Sequence, residues 1–150
     1  MSARLNGAVS RRLVERYVAG LNAGDIEAVV ACVSPGFVNR HASELGRPTD
    51  GRDAYRAALP RFLADVPGMR YDIEDIVVAD GGSPVAVAYR LTADGGIDVR
   101  GVWWFEVDAD ALVAARTDYW DSATVMRQRG ADSRRRLAAT DADGDAAPHR

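Results

Sequence analysis

Between residues 71 and 120 the chain carries four strand-length runs: Tyr71–Val78, Val85–Thr92, Ile97–Val107 and Leu112–Trp120. They are separated by Asp80-Gly81-Gly82, Asp94-Gly95-Gly96 and Asp108-Ala109-Asp110, which are strong tight-turn signals. Strand runs joined by turns this short predict an antiparallel meander. Helical patterns precede it, so the fold class is α+β. The sheet must bury one face, and the helices ahead of it are the available cover. The expected architecture is a curved antiparallel sheet wrapped around three N-terminal helices, a cone with an internal pocket.

The helices are legible by spacing. Leu13, Val14, Tyr17, Val18 and Leu21 form one apolar stripe between Ser10 and Ala23. Gly24 suits a left-handed helix end, and Asp25 suits the cap of a second helix holding Ile26, Val29, Val30 and Val33 and stopping before Pro35. Phe37–His41 reads as a short strand and 46–51 as a loop. A third helix runs from Asp53 to about Asp65, with Tyr55, Leu59, Phe62 and Leu63 on its core side and Pro60 expected to kink or break it. From Arg127 the pattern is lost. The domain is therefore placed at residues 10–130, between a flexible lead (1–9) and a disordered tail (131–150) that includes Arg134-Arg135-Arg136.

Composition narrows the chemistry. With 150 residues, 47% of them hydrophobic, the chain can build one core without disulfides or metals. All 19 basic residues are arginine, which excludes Schiff-base lysine chemistry. Cys32 is the one cysteine and reads as a core filler. The net charge of −3 argues against a nucleic-acid partner. No apolar run approaches membrane-spanning length and no secretory signal is visible, so a cytoplasmic protein without membrane partners is expected. Two histidines, no cysteine cluster and no GxSxG, P-loop or GxGxxG motif predict no metal and no cofactor.

The candidate chemistry lies on strands. Leu112, Ala114, Arg116, Asp118 and Trp120 alternate onto one face, so Asp118 points inward if Leu112 and Trp120 do. A buried carboxylate is costly unless used or paired, and its pKa is pushed up. The bland alternative is a salt bridge with an arginine. Asn39 and His41, two apart on one strand, look to the same side. Arg90 shares a face with Ala86, Ala88 and Thr92, opposite Val85, Val87, Tyr89 and Leu91; spacing leaves it either on a cavity wall or in solvent. Trp103 and Phe105 share a face with Val99, Gly101 and Val107, and Trp104 lies opposite. One tryptophan is expected to line the cone and the other to cover the outer sheet face, where it would serve a dimer.

The element order, with Leu21-Asn22-Ala23-Gly24-Asp25 after the first helix, resembles the nuclear-transport-factor-2-like superfamily, and within it the SnoaL-like group. Polyketide cyclases, ketosteroid isomerases and limonene-type epoxide hydrolases are its relatives. The resemblance spans about residues 10–130 and implies a homodimer through the sheet. Against the isomerases, Tyr17 matches an oxyanion-hole tyrosine, His41 stands at the general-base aspartate, and Trp103 replaces their second aspartate. Against the epoxide hydrolases, Thr117-Asp118-Tyr119-Trp120-Asp121 aligns Asp118 with a catalytic carboxylate. Asn39 matches their water-holding asparagine and Arg90 their bridging arginine, and Gly51-Arg52-Asp53-Ala54 also matches. Thr92 and Phe37 replace the second carboxylate and a tyrosine.

The resulting expectation is a cofactor-independent acid/base enzyme acting on a small apolar or polyketide-like molecule, by isomerisation or cyclisation. His41 is the general base and Asp118 the acid or its partner. Arg90 orients Asp118, and Asn39 donates to substrate oxygen or water. Tyr17, Phe37, Trp103, Phe105 and Trp120 are the expected substrate-binding residues. An epoxide hydrolase or epoxide-opening cyclase, and a non-catalytic ligand-binding or dimerisation domain, are the alternatives.

Overall fold

The structure, a computed structural model, describes residues 4–43 and 45–144. Helix α1 (Gly7–Ala23) starts under Asn6, whose side chain accepts the Val9 N–H. It ends at Gly24 in the left-handed region, φ 64°. Asp25 caps the short α2 (Ile26–Val30) through the Ala28 N–H, as its sequence position predicts. Strand β1 (Val33–His41) begins four residues before the expected Phe37 and contains Pro35. The β1 ladder is irregular between Val33 and Val38, so the missing N–H of Pro35 breaks no regular pairing. After β2 (Thr49–Asp50), α3 (Arg52–Asp65) passes unbroken through Pro60. Pro60 and Arg56 are both exposed, so the carbonyl that loses its helical partner can face water.

The meander forms as its turns predict: β3 (Arg70–Val78), β4 (Val85–Ala93), β5 (Ile97–Val107) and β6 (Val113–Trp120). Gly95 and Gly96 both take positive φ, 80° and 78°, at the β4–β5 turn. The six strands lie in the order β2-β1-β6-β5-β4-β3, with β1 parallel to β6 and every other pair antiparallel. Packing α1 on the concave face buries Leu13, Val14, Tyr17 and Leu21 in one cluster with Phe37, Tyr71, Tyr89, Trp103 and Phe105.

Three further expectations need correction. Gly7–Val9 belong to α1, so the lead is shorter than nine residues. Residues 131–144, expected as disordered tail, continue helix α4 (Ser122–Gly144), while 145–150 lie outside the described residues. Among the described side chains of α4, only Val125 is buried, against Ile97 and Val99, and one anchor gives no readable stripe. Ala and Arg sustain the rest by propensity, with Asp132–Arg136 at 2.9 Å. Finally, β6 carries an extra residue between the Val107–Val113 and Glu106–Ala115 pairs. That bulge puts Val113, and not Leu112 or Ala114, on the inward face with Arg116 and Asp118. Among the described residues, no helix is long and apolar enough to cross a membrane.

Candidate active site

The polar groups of the interior come from neighbouring strands in register. On β1 and β6, Asn39 stands beside Arg116 and His41 beside Asp118; Trp103 of β5 stands on the other side of Asp118. Arg116 is 6% exposed and Asp118 5%. Arg116 directs its donors to neutral acceptors. Its Nε and Nη2 donate to Asn39 Oδ1 at 3.1 and 2.8 Å, and Nη1 donates to Tyr17 Oη at 2.7 Å. Tyr17 is hydrogen-bonded in turn to Tyr55 of α3. The guanidinium lies 5.5 Å from the Trp103 ring centroid and 5.8 Å from that of Tyr17, within cation–π range.

Asp118 is held from the far side. Tyr89 of β4 donates to Asp118 Oδ1 at 2.6 Å, which requires its hydroxyl to cross β5. Gly101 makes the crossing possible: a Cβ there would lie 2.3 Å from Tyr89 Oη. Glycine within a strand often marks such a close approach. The Trp103 indole N–H sits near enough to lower the Asp118 pKa, yet makes no hydrogen bond among the described residues. Burial outweighs these donors and the Arg116 charge and holds the Asp118 carboxyl above its usual range.

His41 is more exposed than Asp118, its side chain 14% exposed against 7%. Its Nε2 is 3.3 Å from Asn39 Nδ2, its Nδ1 3.4 Å from Trp120 Nε1 and 3.9 Å from Asp118 Oδ2. Burial, reinforced by the Arg116 charge, lowers its pKa to about 4, so the ring is neutral at pH 7. The loop after β1 packs on it closely: a Cβ on Gly46 would fall 2.1 Å from His41 Cβ.

Of the expected site residues, His41, Asp118, Asn39, Tyr17, Trp103 and Trp120 are brought together, and Phe37 and Phe105 pack beside them against Tyr55 and Tyr17. Arg90 is not among them. It lies on the outer face, where Nε and Nη2 grip Asp98 at 2.8 and 2.6 Å, so it cannot orient Asp118. The reason is the face rule: Val85, Val87 and Tyr89 take the core side of β4 and turn Arg90 outward. The interior arginine is Arg116, whose place on the Asp118 face was the available signal. Tyr89 and Tyr55 read as core tyrosines and gave no polar signal. The rings fill the interior, with Tyr89 and Trp103 centroids 4.4 Å apart. Two surface concavities, about 280 Å³ beneath α4 and about 460 Å³ between α1 and α2, touch none of these residues.

This arrangement can be set beside known proteins. The sequence profile of the SnoaL-like domain matches residues 14–116, more than half of the chain. The chain belongs to the SnoaL-like domain family. An epoxide hydrolase of the LEH-like type from M. tuberculosis superposes with a TM-score of 0.71 at 20% identity, covering 89% of this chain and 98% of the other. A candidate polyketide cyclase from Xanthomonas campestris pv. campestris gives 0.68 at 24% identity over 83% and 98%. A candidate ketosteroid isomerase from Kribbella flavida DSM 17836 gives 0.65 at 26% identity over 80% and 83%. No match was found among proteins of curated function. The SnoaL-like membership and the nuclear-transport-factor-2-like fold agree with the resemblance read from the sequence; one fold hosts several chemistries, so residues must carry the functional argument.

Proposed function

We propose that this SnoaL-like domain is a cofactor-independent acid/base enzyme that moves a proton on a small apolar or polyketide-like carbonyl compound, giving isomerisation or cyclisation. One observation carries the reading: a neutral imidazole and a buried carboxylate face each other at 3.9 Å, the imidazole being the more exposed of the two. That spacing is too long for a hydrogen bond between them, and it suits a pair that acts on a third group. The fixed Arg116 charge favours the ionised carboxylate, and the surrounding rings suit an apolar substrate.

Epoxide hydrolysis has less support, because Arg90 and Thr92, aligned with its arginine and second carboxylate, share the outer face. The filled interior favours a different second reading, a non-catalytic domain. A panel of β,γ-unsaturated ketones and linear poly-β-ketones, followed by absorbance and by product analysis, separates the two. Asp118→Asn should lower turnover roughly 10²–10⁴-fold with an unchanged circular dichroism spectrum. A protein without turnover on any member supports the non-catalytic reading.

A homodimer through the outer sheet face is part of the proposal. Trp104 and Tyr119 are 43% and 52% exposed there, and Val102, paired with Tyr119, is exposed beside them. An apolar patch of this kind favours an interaction surface.

A further inference from the structure

The hydrogen bonds around His41 cannot all be made at once. Asn39 Nδ2 offers a donor to Nε2, and Trp120 Nε1 offers a donor to Nδ1. A neutral imidazole has one acceptor nitrogen, so one of these donors fails. Asn39 cannot yield by turning its amide, because Oδ1 already takes two charge-assisted bonds from Arg116. Its amide orientation is fixed by the buried cation, and its N–H₂ must face Nε2. Trp120 is only partly buried, and its 3.4 Å contact is at the long limit. Charge decides the same way: a proton on Nδ1 faces the Asp118 carboxylate 3.9 Å away, whereas a lone pair there would be repelled.

We infer that Arg116, acting through Asn39, locks His41 in the tautomer that carries its proton on Nδ1, so that His41 Nδ1–H and Trp120 Nε1–H form a two-donor site for a substrate carbonyl oxygen beside the Asp118 carboxylate. The two nitrogens lie 3.4 Å apart, a separation one oxygen can bridge. This rests on the proton-transfer reading above and assigns its roles. Asp118 Oδ2 takes a proton from the carbon next to the carbonyl. The C–H electron pair forms the enolate double bond, and the negative charge arrives on the oxygen held by the two N–H groups. Isomerisation follows when Asp118 returns the proton to a more distant carbon. Cyclisation follows when the enolate carbon attacks a second carbonyl, whose oxygen takes that proton. His41 is then a neutral hydrogen-bond donor rather than the general base, and Asn39 and Arg116 are positioning residues.

Nitrogen-15 NMR of histidine-labelled full-length protein tests the lock without substrate. His41, assigned by loss of its signals in His41→Gln, should show a pyridine-like Nε2 and a pyrrole-like Nδ1 at neutral pH. Trp120→Phe should leave that pattern unchanged. Asn39→Asp keeps an acceptor for Arg116 but replaces the donor facing Nε2, and should move the proton to Nε2. A pyridine-like Nδ1 in the wild type overturns the inference, and so does a folded Asn39→Asp that keeps the wild-type pattern. If Asn39→Asp fails to fold, the wild-type spectrum alone decides the tautomer. Titration with acetophenone should shift the His41 Nδ1–H and Trp120 Nε1–H resonances together, and Trp120→Phe should weaken binding about tenfold. Movement of neither, or of only one, overturns the two-donor site. The tautomer can fail while the turnover panel succeeds, and the reverse, so the two readings fail separately.

Discussion

Acidification should destabilise this protein through His41, and the size of the effect follows from its surroundings. The folded-state pKa is lowered from 6.5 to about 4, first by burial and then by the Arg116 charge. A base depressed on folding binds protons preferentially in the unfolded chain. Stability is therefore fully present above the unfolded value and is lost as pH falls from about 6.5 toward about 4. At about 1.4 kcal/mol per unit, the loss from about pH 7 to about pH 4.5 comes to roughly 2 kcal/mol. Little screening reduces it, because the side chain is only 14% exposed. Asp118 works in the opposite sense: its raised pKa favours the folded state at low pH and costs stability as pH rises through that value. Wild type must therefore be compared with His41→Gln, which keeps an acceptor for Asn39 and removes the titration. Urea unfolding across that range should bring the variant closer to wild type, or past it, by about 2 kcal/mol at the acid end. Parallel curves would falsify the placement of His41 in the interior.

Other outcomes follow from the same geometry. Arg116→Met leaves Asn39 Oδ1 without its donors and Asp118 without its counter-charge, and should cost about 3–5 kcal/mol in chemical denaturation. Arg90→Ala removes an exposed pair with Asp98 and should leave activity and melting temperature nearly unchanged; a large activity loss would return Arg90 to the site. Trp104→Glu should turn a dimer into a monomer in sedimentation at micromolar concentration, and a monomeric wild type would remove the argument. Gly46→Ala forces the loop off His41 and should change the His41 NMR signals without lowering the melting temperature by more than a few degrees.

The sheet was legible because its turns are chemically explicit: Asp80-Gly81-Gly82 and Asp94-Gly95-Gly96 fixed four strands to within a residue or two at either end. Asp118, Asn39 and His41 were legible because period-two alternation fixes a face without tertiary information. Arg90 and Arg116 show where that reasoning was overridden. Both alternate with small residues, and family alignment favoured Arg90, yet the large apolar side chains opposite it decide that it faces out. The bulge in β6 was invisible because Val113, Ala114 and Ala115 suit either register. Helix α4 was missed because Val125, the one buried position among its described side chains, leaves no periodicity to detect. Tyr89 could not be recognised as a partner of Asp118, since the contact spans a strand and depends on the absence of a side chain at Gly101.

What distinguishes this interior from an ordinary buried ion pair is that the cation and the carboxylate are not bonded to each other. Arg116 gives its donors to Asn39 and Tyr17, and Asp118 accepts from Tyr89. Beyond its hydrogen bonds to Asn39, Arg116 therefore acts on His41 and Asp118 by its charge, which helps burial lower the His41 pKa and opposes the burial that raises the Asp118 carboxyl. On Asp118 that charge favours carboxylate against burial, and on His41 it joins burial in favouring neutral imidazole. The Arg116 charge thus works against both the Asp118–imidazolium ion pair and the protonated-carboxyl form. An ion pair would close the 3.9 Å separation and leave no base for a substrate. The protonated carboxyl would leave no charge to attract a proton from carbon. Arg116→Met therefore has a signature beyond lost stability: surviving folded protein should show His41 with a higher pKa by NMR titration, and an unchanged value would mean that burial alone sets the state of the pair.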